Sequence, residues 1–593
     1  MSAHLFLIAL AAFIALPQAV ALPATAVNAR HVQHASDLRK SYDFVIVGGG
    51  TAGLTIGDRL SELNKFNVLV IEYGGFINAS RYKFWTPTYN VTSVPQIELN
   101  NRVTSLNIGF GVGGSSAING MAVMRGSKRD YDIWAELGNK ESTWTWDGLL
   151  PYFKKAIHFL PPNPTAAADF NITYDIDAAW GQDQNTKLFA SFPGNYDPRL
   201  IPGLQFVRDG QAGTQGVYWY PVSVDLKTQE RSYSRTAHWD GLNRPNYDLV
   251  TGSKVNKILF GKANTAVGVQ FASTDGKQHT IKVSKEVILT AGTIHTPQVL
   301  QLSGIGPSSL LKAAKIPVKV DLPGVGSNFQ DHPIGAGITF NYTTPPPIPA
   351  SNSSNSSTPG LIGGLVALIN LSTISGLSAA QSLARSYRSQ APGSYLPFNT
   401  HPHIVAGYKA QQHLISHELG SPSSLISMLN YVVPTTPSIN PIGMHILSRG
   451  TVLLNLTSPD SEPIVDYRAL SNPLDLDLFI HYLLFLRTFY NSPYFSPYKP
   501  IEFLPGANVT THAQFSTYIR NRLSPQGWHP IGTAAKMRRS LGGVVDDELK
   551  VYGTKRLRVA DASVFPILIG GTTQLSVYAV AEKVADMIKK DWK

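Results

Sequence analysis

"YDFVIVGGGTAGLTIGDRLSEL", Tyr42 to Leu63, changes character twice. It opens on a buried-strand run, Phe44 to Val47, passes into glycines at 48, 50 and 53, and continues with Leu54, Ile56 and Leu60 in a helical pattern. A second apolar strand, Val68 to Ile71, ends in Glu72, about 20 residues past Gly53. Strand, glycines, helix, strand and acid in this order predict a dinucleotide-binding βαβ unit. Gly48 permits the tight turn, Gly50 lets the backbone approach a pyrophosphate, and Gly53 lets helix and strand pack closely. The N–H groups at the helix start then face the phosphates, and Glu72 can accept hydrogen bonds from a ribose. The motif does not separate a nicotinamide from a flavin nucleotide.

The remaining composition narrows the setting. With 593 residues, 43% hydrophobic and 15% charged, the chain reads as globular and too long for one ordinary core, so two joined domains are expected. The apolar run from Leu5 to Leu16, followed by Pro17 and Ala19-Val20-Ala21, reads as a secretory signal over residues 1–21. It is shorter than the roughly 20 residues a membrane span needs. The expectation is the secretory pathway, with a secreted, cell-wall or lumenal destination and no stable membrane insertion. Asn-x-Ser/Thr sequons at Asn78, Asn90, Asn171, Asn341, Asn352, Asn355, Asn370, Asn455 and Asn508 agree with export and predict a glycoprotein. The absence of cysteine excludes disulfides, thiolate metal sites, cysteine nucleophiles and cysteinyl-flavin links.

The formal charge of +11 is scattered, which reads as a solvated basic surface and not as a nucleic-acid interface. His413 and His417 stand at i and i+4 beside Glu418, yet no further ligand follows, so no metal is expected. An exported enzyme meets little diffusible nicotinamide, which favours a tightly held flavin.

A second glycine-serine cluster, "IGFGVGGSSAINGMAVMRGSKRDYDIW", fills 108–134. Further motifs follow in order: Gly292 to Pro297 with Ser303 to Gly306; "DLPGVGSNFQDHP", Asp321 to Pro333; "GWHPIGTAAKM"; "GGVVDDELKVYGTKRLRVADASVFP"; and "LIGGTTQLSVYAVAEK", Leu568 to Lys583. Together these resemble the glucose–methanol–choline (GMC) oxidoreductase family across residues 42–590. The resemblance implies an α/β fold: a discontinuous Rossmann-like FAD-binding domain (36–160, 230–335 and 525–593) and an α+β substrate-binding domain (161–229 and 336–524). The Pro/Ser/Asn tract 341–364 reads as an exposed insertion within the latter, and Phe84-Trp85 with Tyr89 as a candidate access loop.

The resemblance also implies the site. FAD would be held by Gly48, Gly50, Thr51, Ala52, Gly53, Glu72, Gly114, Ser116, Asn119, Gly120, Val255, Asp561, Thr573 and Gln574. Some relatives attach FAD through a histidine at the position of Ile118, so noncovalent FAD is expected here. His529, in "SPQGWHPIGT", stands where the family places its active-site histidine, and an imidazole suits removal of a hydroxyl proton as hydride leaves for the flavin. Relatives usually carry a second histidine or an asparagine about forty residues later. This chain has Thr572 there, which can donate and accept a hydrogen bond but cannot act as a base near neutrality; a helix cap is its plainer role. Gly570 and Gly571 are expected to let the backbone approach the flavin ring, and the start of the last helix to stabilise negative charge on it. The expected reaction is oxidation of an alcohol or lactol to a carbonyl, with oxygen or a quinone as electron acceptor, plausible in fungal secondary metabolism. The alternative is a non-redox cyclase or lyase that keeps FAD on the same scaffold.

Overall fold

The computed structural model describes residues 29–79, 86–181, 186–192, 210–344, 364–432, 438–493 and 495–593. The signal segment, Phe84, Trp85, Asn352 and Asn355 lie outside these, as does nearly all of the tract 341–364.

The opening stretch folds as its pattern predicts. Ser41–Val47 is a buried strand, Thr51–Ser61 a helix and Val68–Ile71 the next strand, parallel to the first with Phe44 opposite Val68. They sit at the centre of an eight-stranded sheet. Its order is Arg30–Val32, Tyr247–Val250, Val68–Ile71, Ser41–Val47, Gln278–Leu289, Ala266–Ser273 and Ser253–Phe260. Pairing is parallel as far as Gln278–Leu289 and antiparallel beyond it. Gln278–Leu289 forks. Its first half pairs with Ala266–Ser273, while Val287 to Leu289 pair in parallel with the C-terminal strand Leu557–Val559. The sheet begins at Arg30, ahead of the expected domain start at 36, because Arg30–Val32 adds a parallel edge strand beside Tyr247–Val250. The last helix, Gln574–Asp591, packs on the first helix and on Trp146–Ala156, burying Val577, Tyr578, Ala581, Val584 and Ile588.

A second, six-stranded sheet runs Leu523–Ser524, Ile334–Gly335, Ile442–Gly443, Leu429–Val432, Gly364–Ile369 and Gly216–Tyr220. Its strands come from 216–220 and 334–524, and Ile334–Gly335 among them falls just inside the segment 230–335 expected for the FAD-binding domain. Asn341 lies in one strand (Ile338–Tyr342) and Gly364 begins another, which places the two ends of the Pro/Ser/Asn tract in different sheets.

Among the described sequons, Asn78, Asn90, Asn171, Asn341 and Asn508 are exposed and Asn455 is half-buried. Asn370 differs. Its side chain caps the helix Leu371–Ser375 by accepting from Thr373 N–H at 2.9 Å, and its amide nitrogen donates to the Ser424 carbonyl at 3.2 Å. Among the described residues no helix is long and apolar enough to cross a membrane, and no group of three or more His, Asp or Glu is placed to hold a metal. Glu418, beside His417, instead takes the guanidinium of Arg129 at 2.7 Å.

Candidate active site

A cavity of about 460 Å³ lies between the two sheets. One end is lined by Gly48, Gly50, Thr51, Ala52, Glu72, Lys254 and Val255; the other by Met124, Tyr220, Ile334, Val366, Ile442 and Trp528, with His529 and Thr572. The first end comes from the parallel sheet and its glycine turn. The second is largely the inner face of the six-stranded sheet.

The glycines earn their places sterically. A Cβ on Gly53 would lie 1.9 Å from the Gly48 carbonyl oxygen, and Gly48 has φ +108° with the Thr290 carbonyl 2.6 Å from any Cβ. Helix and strand could not meet otherwise. Gly50 and Gly114 approach backbone to backbone, the latter's Cβ position lying 2.8 Å from Gly50 Cα, which joins the first and second glycine clusters.

Three helices open onto this cavity: Thr51–Ser61, Gly292–Leu302 and Gln574–Asp591. None is capped by the side chain of its own N-cap residue, although Asp561, from the C-terminal segment, takes Gly292 N–H at the second. A helix start leaves N–H groups without intrahelical partners and concentrates positive partial charge. Three such starts around an elongated, glycine-floored cavity fit a dinucleotide with an anionic diphosphate. Positions 120 and 292 leave open space where a Cβ would stand. The residues present therefore fit FAD.

The expected cofactor residues are mostly held by the protein itself. Glu72 is buried, with one oxygen accepting from Gly49 N–H at 2.7 Å and the other from Gly74 N–H at 2.8 Å, so a ribose can use only the remaining lone pairs. Burial raises its pKa, against the pull of those two N–H groups. Asp561 takes Gly292 N–H at 2.9 Å, the Thr296 hydroxyl at 2.6 Å and Ser563 N–H at 2.8 Å, which ties the C-terminal segment to the mouth of Gly292–Leu302. Ser116 donates to the Gly113 carbonyl at 2.6 Å. Asn119 accepts from Arg231 at 2.7 Å and donates to Gln574, linking the second glycine cluster to the last helix. Ile118 is buried with Ile77, Ala117 and Tyr233 and has no group able to bond a flavin. Thr573 is the residue preceding the last helix, and Thr572 does not cap it: its hydroxyl donates to the Ala122 carbonyl at 3.1 Å.

The two glycines before Thr572 have a different reason from the one expected. A Cβ on Gly571 would lie 2.7 Å from the Arg125 carbonyl, and one on Gly570 3.1 Å from Ser427 and 3.2 Å from Asp130. They make room for protein, not for the ring.

His529 stands in a short loop stapled by one carboxylate. Asp331 Oδ1 accepts from His332 N–H at 2.7 Å, His529 N–H at 2.9 Å and Gly527 N–H at 3.2 Å. Burial pushes Asp331 up to about 7, and the three N–H groups oppose it. Burial also pushes His529 down to about 4, so its imidazole is neutral across ordinary pH.

Its ring contacts a residue that the sequence reading assigned no role. His332 Nδ1 lies 3.0 Å from His529 Nδ1, and His332 Nε2 lies 3.1 Å from the Ile569 carbonyl. A carbonyl only accepts, so His332 carries its hydrogen on Nε2. Burial first, and then the neighbouring His529 and His445, hold His332 well below the usual imidazole range against the Ile569 and Met444 carbonyls, so it is neutral, and with its hydrogen on Nε2 its Nδ1 is an acceptor. His529 must then donate from Nδ1, which leaves its Nε2 bare. The available signal was the position of His332 beside Asp331 at the end of "DLPGVGSNFQDHP"; nothing in the sequence links that motif to His529.

Comparison with known proteins agrees with this architecture. Family models for GMC oxidoreductases match residues 42–334 and 447–581. The chain is 34% identical to the dehydrogenase xptC of Emericella nidulans, with 95% of each covered, and 29% identical to patulin synthase of Aspergillus clavatus, with 92% and 91% covered. The structure of a fungal aryl-alcohol oxidase superposes with a TM-score of 0.87 at 35% identity, over 94% of this chain and all of that one. The cavity, its three open helix ends and these matches lead to one conclusion: the chain belongs to the GMC oxidoreductase family and is an FAD-dependent oxidoreductase acting on CH–OH groups.

Proposed function

We propose that this protein oxidises an alcohol or lactol to the carbonyl compound, with His529 accepting the hydroxyl proton. The observation that carries the reading is the bare Nε2 of His529 in a cavity fitted for FAD. Bound FAD supplies the acceptor for the hydride. His529 is neutral and its tautomer is fixed by His332, so it meets the substrate ready to take a proton without first rearranging. Asp331 holds the backbone of the same loop, which limits drift of the ring.

Thr572 supplies a second oxygen at this end. Its hydrogen is committed to the Ala122 carbonyl, so its lone pairs face outward as acceptors where relatives usually offer a donor. Met124, Tyr220, Ile334, Val366, Ile442 and Trp528 add no charge, which favours an uncharged, largely apolar substrate over a polyhydroxylated sugar. The name of the fungal aryl-alcohol oxidase agrees with an aryl alcohol as substrate, and patulin synthase with a place in fungal secondary metabolism. FAD is held noncovalently, oxygen or a quinone reoxidises it, and the protein is exported through the secretory pathway and glycosylated.

The experiment is anaerobic mixing with candidate alcohols. Loss of the oxidised-flavin absorbance is expected; turnover with the flavin oxidised throughout would instead identify a non-redox cyclase or lyase. The acid limb of kcat/KM is set by His529: activity is full while it is neutral and falls as pH drops through its pKa of about 4.

A further inference from the structure

Behind His332 the hydrogen bonds continue through the backbone. The Ile569 carbonyl that receives His332 Nε2–H, and also Gly571 N–H at 2.8 Å, belongs to the same peptide group as Gly570 N–H. That N–H donates to Asp130 Oδ2 at 2.9 Å. Asp130 is fully buried and Oδ2 also takes Ser127 N–H at 2.7 Å and the Ser127 hydroxyl at 3.0 Å. Three donors on one oxygen are what an ionised carboxylate gathers. Its other oxygen lies 2.7 Å from His445 Nε2, and His445 Nδ1 contacts the Ser427 carbonyl. Both nitrogens of a buried imidazole thus face acceptors, so His445 and Asp130 form an imidazolium–carboxylate pair, beside which the buried Ser427 hydroxyl has no partner.

A trans peptide is planar, with N–H and C=O pointing in opposite directions. Holding Gly570 N–H on Asp130 therefore aims the Ile569 carbonyl away from the pair and at His332. We propose that Asp130 and His445 are positioning residues for the reaction, acting through peptide 569–570 to fix the tautomer of His332 and so to leave Nε2 of His529 bare toward the substrate. The inference rests on His529 as the proton acceptor. Neither residue lines the cavity, and the pair is net neutral, so it orients the relay without adding charge to it. The other ionisable groups facing the assembly are Tyr131 and Arg125 on the Asp130 side, and Asp331 with Tyr467 on the His529 side. Both variants below leave them in place.

The test uses FAD-loaded full-length enzyme, with FAD content, Tm, kcat, KM and the pH profile of kcat/KM measured for each variant. In His445→Gln the side-chain amide can still donate to Asp130, but the cation is gone. The uncompensated carboxylate then favours protonation of the histidine relay, so the acid limb moves up by about half a pH unit or more. Adding Asp130→Asn removes that charge and returns the limb to its wild-type position. Asp130→Asn alone leaves the imidazolium uncompensated, which moves the limb in the opposite direction, and presents a neutral acceptor to Gly570, so kcat falls about 3- to 10-fold with KM unchanged. An unmoved limb in His445→Gln, or a limb still shifted in the double variant, overturns the proposal. Should His445→Gln fail to fold, wild-type kcat in folded, FAD-loaded Asp130→Asn overturns it alone. His529→Ala separates the two levels: near-wild-type activity there removes the proton-acceptor reading itself, whereas collapse there beside indifferent Asp130 and His445 variants removes only the positioning role.

Discussion

Two helix mouths face the same cavity and are built in opposite ways. The first, before Thr51–Ser61, is made mainly within its own turn: Gly53 clears the Gly48 carbonyl so that one helix can lie on one strand, and Gly48 clears the Thr290 carbonyl at the end of the adjacent strand. The last, before Gln574–Asp591, is made by residues hundreds of positions away. Arg125, Asp130, His332 and Ser427 crowd its glycines and receive or supply its peptide hydrogen bonds. One mouth is a local device for holding an anion; the other is a junction where the reactive histidine, its relay and the helix meet.

The contrast breaks most severely at Gly53. Gly53→Ala places a methyl 1.9 Å from a carbonyl oxygen, and helix and strand cannot both stay. The expected outcome is complete loss of bound FAD, read as flavin absorbance per chain; a normally loaded variant would show that this mouth does not need its close packing. Next in size is His529→Ala, which should lower the rate of flavin reduction by about 10²–10⁴-fold while FAD content stays normal. Gly571→Ala probes the second mouth. Its Cβ meets the Arg125 carbonyl at 2.7 Å, so the main chain must move to admit it, and the variant should keep FAD but lose about 1–3 kcal/mol of stability, seen as a lower Tm. Loss of FAD equal to that in Gly53→Ala would erase the distinction between the two. The smallest change is Thr572→Val, which removes a single hydroxyl of nearly constant volume. A KM increase of about 2- to 10-fold is expected from one lost hydrogen bond, with kcat little altered; an unchanged KM would reduce Thr572 to a tether on Ala122.

The same contrast explains what the sequence discloses. Gly53 and Glu72 are readable because their reasons lie within one βαβ unit, and Gly48 and Gly50 because they share its motif, although Thr290 and Gly114 are what crowd them. His529 is readable because it stands in a motif the family shares. His332 is not, since its task depends on a ring brought from nearly two hundred positions away, and spacing says nothing about that encounter. Asp130 and His445 are more remote still, linked to the site through a peptide group that has no side-chain letter at all. Gly570 and Gly571 teach a finer point. That a backbone must come close there is visible in the sequence, but what it comes close to is decided by the tertiary fold.

The forked strand Gln278–Leu289 has a consequence for biosynthesis. Its last three residues are flanked by Ser41–Val47 on one side and by Leu557–Val559 on the other, and the latter strand emerges from the ribosome only after residues 290–556 have been made. The third open helix start and His529 follow the same schedule. A growing chain can form the glycine turn early but cannot enclose a cofactor until Leu557–Val559 and Gln574–Asp591 have been made. Loading is thus a late event, and a chain cut short before Leu557 would leave its first nucleotide-binding turn with nothing to close over.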